Sequence, residues 1–331
     1  MALTTYLILF GLLQSACSMD PQLELLKELI NSGLGTAAGQ NPLEANATNY
    51  QYRTQIELLF AQLGAQVFAS KRAQEFVTQA SKFGIPSGDS LRYFDNYIVS
   101  YDKRLKQPSW VLQRLVPAEI TKKVAVRRGS HTFCMDRTIH EYFRTTDKDY
   151  KTSGYDRGHF APALDNIFDQ DYLDQSFYLS NVAPQVPNLN RAGCVWARLE
   201  TYVRYVARRS KHVYVLTGSL YLPSIHDSRL VRYRIIGSNR VAVPTHFYKI
   251  LVSEEISGQI SMEAYSVPNS PHVVNSAKLE QFQIDIDTQL PILEESAGLV
   301  FFDNLNRKRV AKPLGLQYGF GKGKVFGNKD Y

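Results

Sequence analysis

Gly154-Tyr155-Asp156-Arg157-Gly158-His159, running on into Phe160-Ala161-Pro162-Ala163, is the stretch on which the reading of this chain turns. Downstream come Phe177-Tyr178-Leu179-Ser180-Asn181, Val182-Ala183-Pro184-Gln185, Asn188-Leu189-Asn190, then Trp196-Ala197-Arg198-Leu199-Glu200 and Arg204. A neutral imidazole titrates near pH 6.5, so His159 can take a proton from water at physiological pH. Arg157 is a planar, permanently charged fork suited to a phosphate. Asn190 or Asn181 can offer a carbonyl oxygen to a hard divalent cation, which keeps several waters and accepts few protein ligands. Base, phosphate clamp and Mg²⁺ site together make the parts needed for phosphodiester hydrolysis. The same tetrapeptide also reads as a structural turn.

Working outward, Tyr97–Tyr101 and Trp110–Gln113 alternate as half-buried strands do. His212–Gly218, Val241–His246 and Phe247–Val252 read as strands of a continuing sheet, and Leu199–Arg209 as a helix carrying Arg204, Arg208 and Arg209. Leu23, Leu26, Leu29 and Ile30 keep helical spacing up to Ser32-Gly33; residues 35–49 read as a linker. A longer helical pattern runs through Ile56, Leu59, Leu63, Val67, Phe68 and Phe76 to Gly84-Ile85-Pro86, an apolar stripe for packing or self-association. The first 19 residues hold an uncharged apolar block, Leu7 to Leu13, shorter than a spanning helix and suited to a secretory signal peptide or a short anchor.

The chain has 331 residues, 44% hydrophobic and 21% charged, which excludes wholesale disorder, collagen-like repeats and a multi-pass membrane protein. Three cysteines supply no disulfide framework, so the fold rests on a hydrophobic core, and without paired spacing they make no zinc site. A net charge of +7 permits a polyanionic partner without demanding one.

The segment resembles the DNA/RNA non-specific endonuclease family with the ββα-metal active site, in its endonuclease G and EXOG branch. Asp156-Arg157-Gly158-His159 matches the signature tetrapeptide, and Phe177–Asn181 with Ala183–Gln185 matches the branch. Similarity reaches Tyr97–Asp102, Ser109–Leu112 and Asp149-Tyr150 on one side, and Gly218, Val241–Pro244 and Leu299–Phe302 on the other, covering roughly residues 90 to 305. The resemblance implies an α+β ββα-metal (His-Me finger) nuclease fold, with a mixed, mostly antiparallel central sheet flanked by helices. The domains expected are a leader at 1–19, a helical extension with linker at 20–90, the nuclease domain at 91–305 and a basic tail at 306–331.

The roles it implies are residue by residue. His159 falls on the general base and Asn190 on the sole direct protein ligand of the catalytic Mg²⁺, for which Mn²⁺ can substitute. Arg157 falls on a phosphate-binding arginine, while Glu200 and Arg204 fall on positions that hold the metal's waters and the substrate phosphate. Asn181 falls on a supporting active-site asparagine, and Asp156 and Arg144 complete the expected substrate surface. Glu200 and Arg204, four apart on a helix, also suit a plain salt bridge. The implied substrates are DNA and RNA, and the implied assembly is a homodimer. The implied location is mitochondrial, against the secretion or membrane association that the apolar leader suggests.

One departure stands out. Family members have four residue steps from the metal-binding Asn to the next Trp, but Asn190 is six steps from Trp196, with Arg191-Ala192-Gly193-Cys194-Val195 between. The lengthened spacer motivates a rival reading: a catalytically weakened paralogue that binds nucleic acid or a protein partner without cleaving. Arg127-Arg128 lies where relatives carry a DNA-contacting arginine, Cys134 is expected as a buried free thiol, and Cys194 as a small apolar filler.

Overall fold

The computed structural model describes residues 70–122, 132–223 and 227–311. The leader, the linker, the helical patterns before residue 70, the Arg127-Arg128 pair and the tail beyond residue 311 lie outside the described residues.

In chain order, α1 (Lys71–Ala80) leads into β1 (Leu91–Tyr93), β2 (Ile98–Asp102) and β3 (Gln107–Leu115). The short helices α2 (Pro117–Thr121) and α3 (Asp147–Tyr150) follow. Next come β4 (Asp156–His159), α4 (Gln170–Ser176), β5 (Val182–Gln185), α5 (Pro187–Asn190) and α6 (Val195–Ala207). The remainder is β6 (His212–Leu220), β7 (Ile235–Ile236), β8 (Val241–Ala242), β9 (His246–Glu254), β10 (Ile260–Pro268), β11 (Gln283–Ile284) and α7 (Leu290–Ala297).

Seven strands form the central sheet in the order β1-β2-β3-β6-β9-β10-β11. Every neighbouring pair in it is antiparallel, in keeping with the mostly antiparallel sheet expected. Hairpins explain much of this: β9 turns directly into β10, with Glu255 N–H donating to Gln259 O at 2.8 Å. A tight turn returns the chain antiparallel, whereas parallel pairing needs a long crossover.

Alternation along each strand feeds two cores. Val213 and Val215 face the layer that contains Trp196, Leu199 and Val203 of α6. Tyr214 and Leu216 face the opposite layer, with Phe76 and Ala80 of α1 and Leu290 and Leu293 of α7. The fold therefore reaches back to α1, earlier than the expected boundary at residue 91. Ser70 caps α1 by accepting from Ala73 N–H at 3.0 Å.

Two expectations shift at the carboxy-terminal side. The expected strand from Val241 to His246 is interrupted: Val241 and Ala242 pair with β7, and β9 begins at His246. Pro244 has no N–H to continue a ladder. The expected loose tail is anchored at its start, since Arg307 pairs with Glu294 and Ala311 N–H donates to Ile260 O at 2.8 Å.

Candidate active site

The excursion between β3 and β6 builds the site on the face of the sheet that α6 covers. Its frame is a two-stranded ribbon in which Asp156, Arg157, Gly158 and His159 pair with Gln185, Pro184, Ala183 and Val182. Residues two apart on a strand share a face, so Arg157 and His159 project together. Glycine is required between them: a Cβ on Gly158 would lie 2.5 Å from Gln185 Oε1.

Asn181 locks the end of this ribbon. Its Oδ1 accepts from Ala161 N–H and its Nδ2 donates to the carbonyls of Ala161 and Ser176, each at 2.9 Å. The residue is fully buried. Its amide is spent on the backbone around His159, which suits a supporting role.

His159 sits between two phenylalanines, with ring centroids 5.1 Å from Phe133 and 5.2 Å from Phe177. Phe133 is placed by its neighbour Cys134, whose N–H donates to Phe177 O at 3.0 Å and whose carbonyl accepts from Leu179 N–H at 2.8 Å. Cys134 itself is an exposed free thiol, not the buried one expected, while Cys194 is buried. The imidazole Nε2 is buried and has no hydrogen-bond partner among the described residues. Burial pushes the imidazole down to about 4, because the cation loses more hydration than the neutral ring. At pH 7 His159 is neutral.

Arg157 lies over the same Phe133 ring at 5.4 Å and over Tyr150 at 5.4 Å. One end of its fork pairs with Asp147 Oδ1 at 2.5 Å, and its Nε is buried without a partner among the described residues. Arg144 likewise keeps a buried, unpartnered Nε, and no carboxylate pairs with it among the described residues.

Asn190 ends α5. Its Nδ2 donates to Asp156 Oδ2 at 3.3 Å, while Oδ1 accepts no bond from the described residues. A carboxylate takes a bond only from the amide nitrogen, so the remaining donor atom for a cation is the carbonyl oxygen. The lengthened spacer is absorbed as a turn: Arg191 N–H donates to Pro187 O at 3.1 Å, Cys194 N–H donates to Arg191 O at 2.9 Å, and Gly193 takes φ +82°. The Asp156 carboxylate holds Asn190 and Arg191.

Helix α6 brings in Glu200 and Arg204. Arg204 Nη1 pairs with the buried Asp165 Oδ1 at 3.0 Å and its Nη2 donates to Thr201 Oγ1 at 3.2 Å. Glu200 is pushed up to about 7, chiefly by burial, with Lys249 and Arg204 pulling the other way and Asp165 adding to the rise. Lys249 on β9 is itself buried; its ammonium donates to Thr217 Oγ1 at 2.6 Å and lies 5.1 Å from the Trp196 ring centroid. Burial brings that lysine down to about 8. Phe133, Asp147, Asp165, Arg191 and Lys249 escape the motif reading, and Phe177 stands in a quoted motif with no role assigned to it. Arg191 carries a signal in the sequence as the first residue of the anomalous spacer.

Among the described residues no three His, Cys, Asp or Glu side chains converge to hold a metal ion. The open oxygen of Asn190, with Glu200 on the next helix, fits a hard cation that keeps most of its waters. No helix of the described residues is long and apolar enough to cross a membrane.

Comparison with known proteins agrees with this frame. The pattern of the DNA/RNA non-specific endonuclease family matches residues 76–308. Mitochondrial endonuclease G of Bos taurus is 40% identical over 229 residues, covering 69% of this chain and 74% of the relative. The mitochondrial nuclease of Saccharomyces cerevisiae is 37% identical over 250 residues, covering 71% and 74%. A solved chain from an EndoG/EndoGI complex, described as giving the mechanism of EndoG inhibition, superposes with a TM-score of 0.67 at 41% identity, covering 73% of this chain and 96% of that one.

Proposed function

The chain belongs to the DNA/RNA non-specific endonuclease family, and from that premise we propose a Mg²⁺-dependent, sugar-non-specific endonuclease with His159 as general base and Asn190 as metal ligand. That the protein is a nuclease, a phosphodiester hydrolase, follows from the family itself. The observation that carries the finer reading is the ribbon-and-helix unit, which holds a neutral imidazole, its Nε2 without a partner among the described residues, beside Arg157 and ties the Asn190 amide to the foot of the same strand.

In this mechanism His159 takes a proton from the water that attacks phosphorus; its neutrality at pH 7 leaves it able to accept. Arg157 places two nitrogens toward a phosphate oxygen once its bond to Asp147 yields. Asn190 would hold the metal through Oδ1, and ionised Glu200 would accept hydrogen bonds from the water around it. When bound, the cation neutralises charge on the phosphate and on the departing 3′ oxygen. Arginines and a metal address the phosphate, a contact that carries no base information, so low sequence specificity on DNA and RNA follows.

The location is mitochondrial, in keeping with the mitochondrial names of the relatives, rather than secretory as the leader alone suggests. Homodimerisation is part of the same proposal. The test is incubation of purified protein with plasmid and with structured RNA in Mg²⁺. Nicking of both, lost in His159→Ala, is the expected result. An intact plasmid with the folded wild type would instead favour the non-cleaving reading.

A further inference from the structure

The lengthened spacer does more than close a turn. Its first residue, Arg191, makes a two-point fork on Asp156, Nε to Oδ2 at 3.0 Å and Nη2 to Oδ1 at 3.1 Å. The same Oδ2 accepts from Asn190 Nδ2 at 3.3 Å. One carboxylate thus takes an arginine on both of its oxygens and the candidate metal ligand on one of them. The Arg191 side chain is 67% exposed and that of Asp156 22% exposed. An ion pair so open to water contributes little stability, and a bidentate fork is a device for fixing geometry.

Such fixing is needed here. Helix α5 is a single turn of four residues, too short to hold its own shape. Asn190 is its last residue, so the direction of the carboxamide depends on what grips it from outside. With both oxygens of Asp156 engaged, the carboxylate plane cannot swing, and the Asn190 amide meets an acceptor in a fixed place. The arginine also offsets the charge that Asp156 would otherwise present near a phosphate.

We propose that Arg191 and Asp156 are positioning residues for the metal-binding carboxamide of Asn190, and that the longer spacer supplies this support itself. The proposal rests on the reading of Asn190 as the metal ligand. Partners that orient a ligand change metal affinity by roughly 10- to 100-fold when removed.

The experiment is calorimetric titration with Mn²⁺ of the wild type, Arg191→Ala, Arg191→Lys and Asp156→Asn, alongside thermal melting and steady-state cleavage. The expected result is Mn²⁺ binding about tenfold weaker in Arg191→Ala and at least as much weaker in Asp156→Asn. Arg191→Lys recovers part of the loss, since an ammonium makes a point contact rather than a fork. The melting point stays near that of the wild type, and kcat falls while KM for nucleic acid holds. Mn²⁺ affinity and kcat unchanged in Arg191→Ala would overturn the positioning role. So would unchanged affinity with a raised KM, which would make Arg191 a phosphate contact. A folded wild type that takes up no Mn²⁺ would overturn the assignment of Asn190 first, and the clamp with it. If Arg191→Ala does not fold, Arg191→Gln makes the same comparison.

Discussion

Acidification should cost this protein stability through His159 by an amount that can be worked out. In the unfolded chain the imidazole titrates near 6.5; in the fold, burial beside Phe133 and Phe177 brings it down to about 4. Between those values the unfolded state takes up a proton and the native state does not. Stability therefore falls as pH drops through that window and is indifferent to this residue above it. Linkage over the step from pH 7 to pH 5 gives a loss of about 2 kcal/mol. Urea unfolding of the wild type and His159→Asn at both pH values isolates it, because other titrating groups are common to the two proteins. The wild type should lose about 2 kcal/mol more than the variant over that step. The His159 Cε1–H resonance, followed by NMR, should move with an apparent pKa near 4. Equal losses in the two proteins, or a resonance titrating above 6, would refute the desolvated imidazole and with it the reason His159 is neutral.

Replacing Asn181 by Ala strands the N–H and carbonyl of Ala161 and the carbonyl of Ser176 in a buried place. At roughly 1–3 kcal/mol for each orphaned group, urea unfolding should register a loss of at least about 3 kcal/mol, and one below about 1 would contradict the lock. Asp147→Asn releases the guanidinium of Arg157 from its carboxylate. On an inactive His159→Ala background, fluorescence anisotropy should report up to about fivefold tighter binding of a short duplex, and weaker binding would show that Asp147 aims the arginine instead. Glu200 is held up to about 7, so cleavage should rise with pH as its carboxyl ionises. Glu200→Gln should lower the rate and flatten that rise, whereas a rise at the same pH in the variant would assign it to another group.

The catalytic frame was legible because its residues are bound by covalent spacing. The Asp156–His159 tetrapeptide is one strand, and its partner Val182–Gln185 is the next motif in the chain, so the ribbon follows from two adjacent runs. The sheet strands were legible from alternation, as Val213 to Leu216 illustrate, but their mutual direction was not. An alternating strand looks the same whichever way its neighbour runs. The contacts of Asp156 and Asn181 were not legible for a related reason. A polar residue in a motif shows its chemistry in the sequence but not which partner consumes it, and Asn181 is consumed by three backbone groups. Lys249 and Asp165 were invisible, since one lies in an apolar strand run and the other in a short turn; only tertiary packing sets them beside Glu200 and Arg204. Arg191 stood in plain view as an irregularity of length, without any hint that its fork reaches back to Asp156.

Anomalous diffraction from crystals soaked in Mn²⁺ tests the assignment of Asn190 as metal ligand most directly. The expected result is one strong peak in coordination contact with Asn190 Oδ1, ringed by ordered waters, some of them reaching Glu200. A manganese peak seated on other side chains, with the Asn190 carboxamide out of contact, would contradict it.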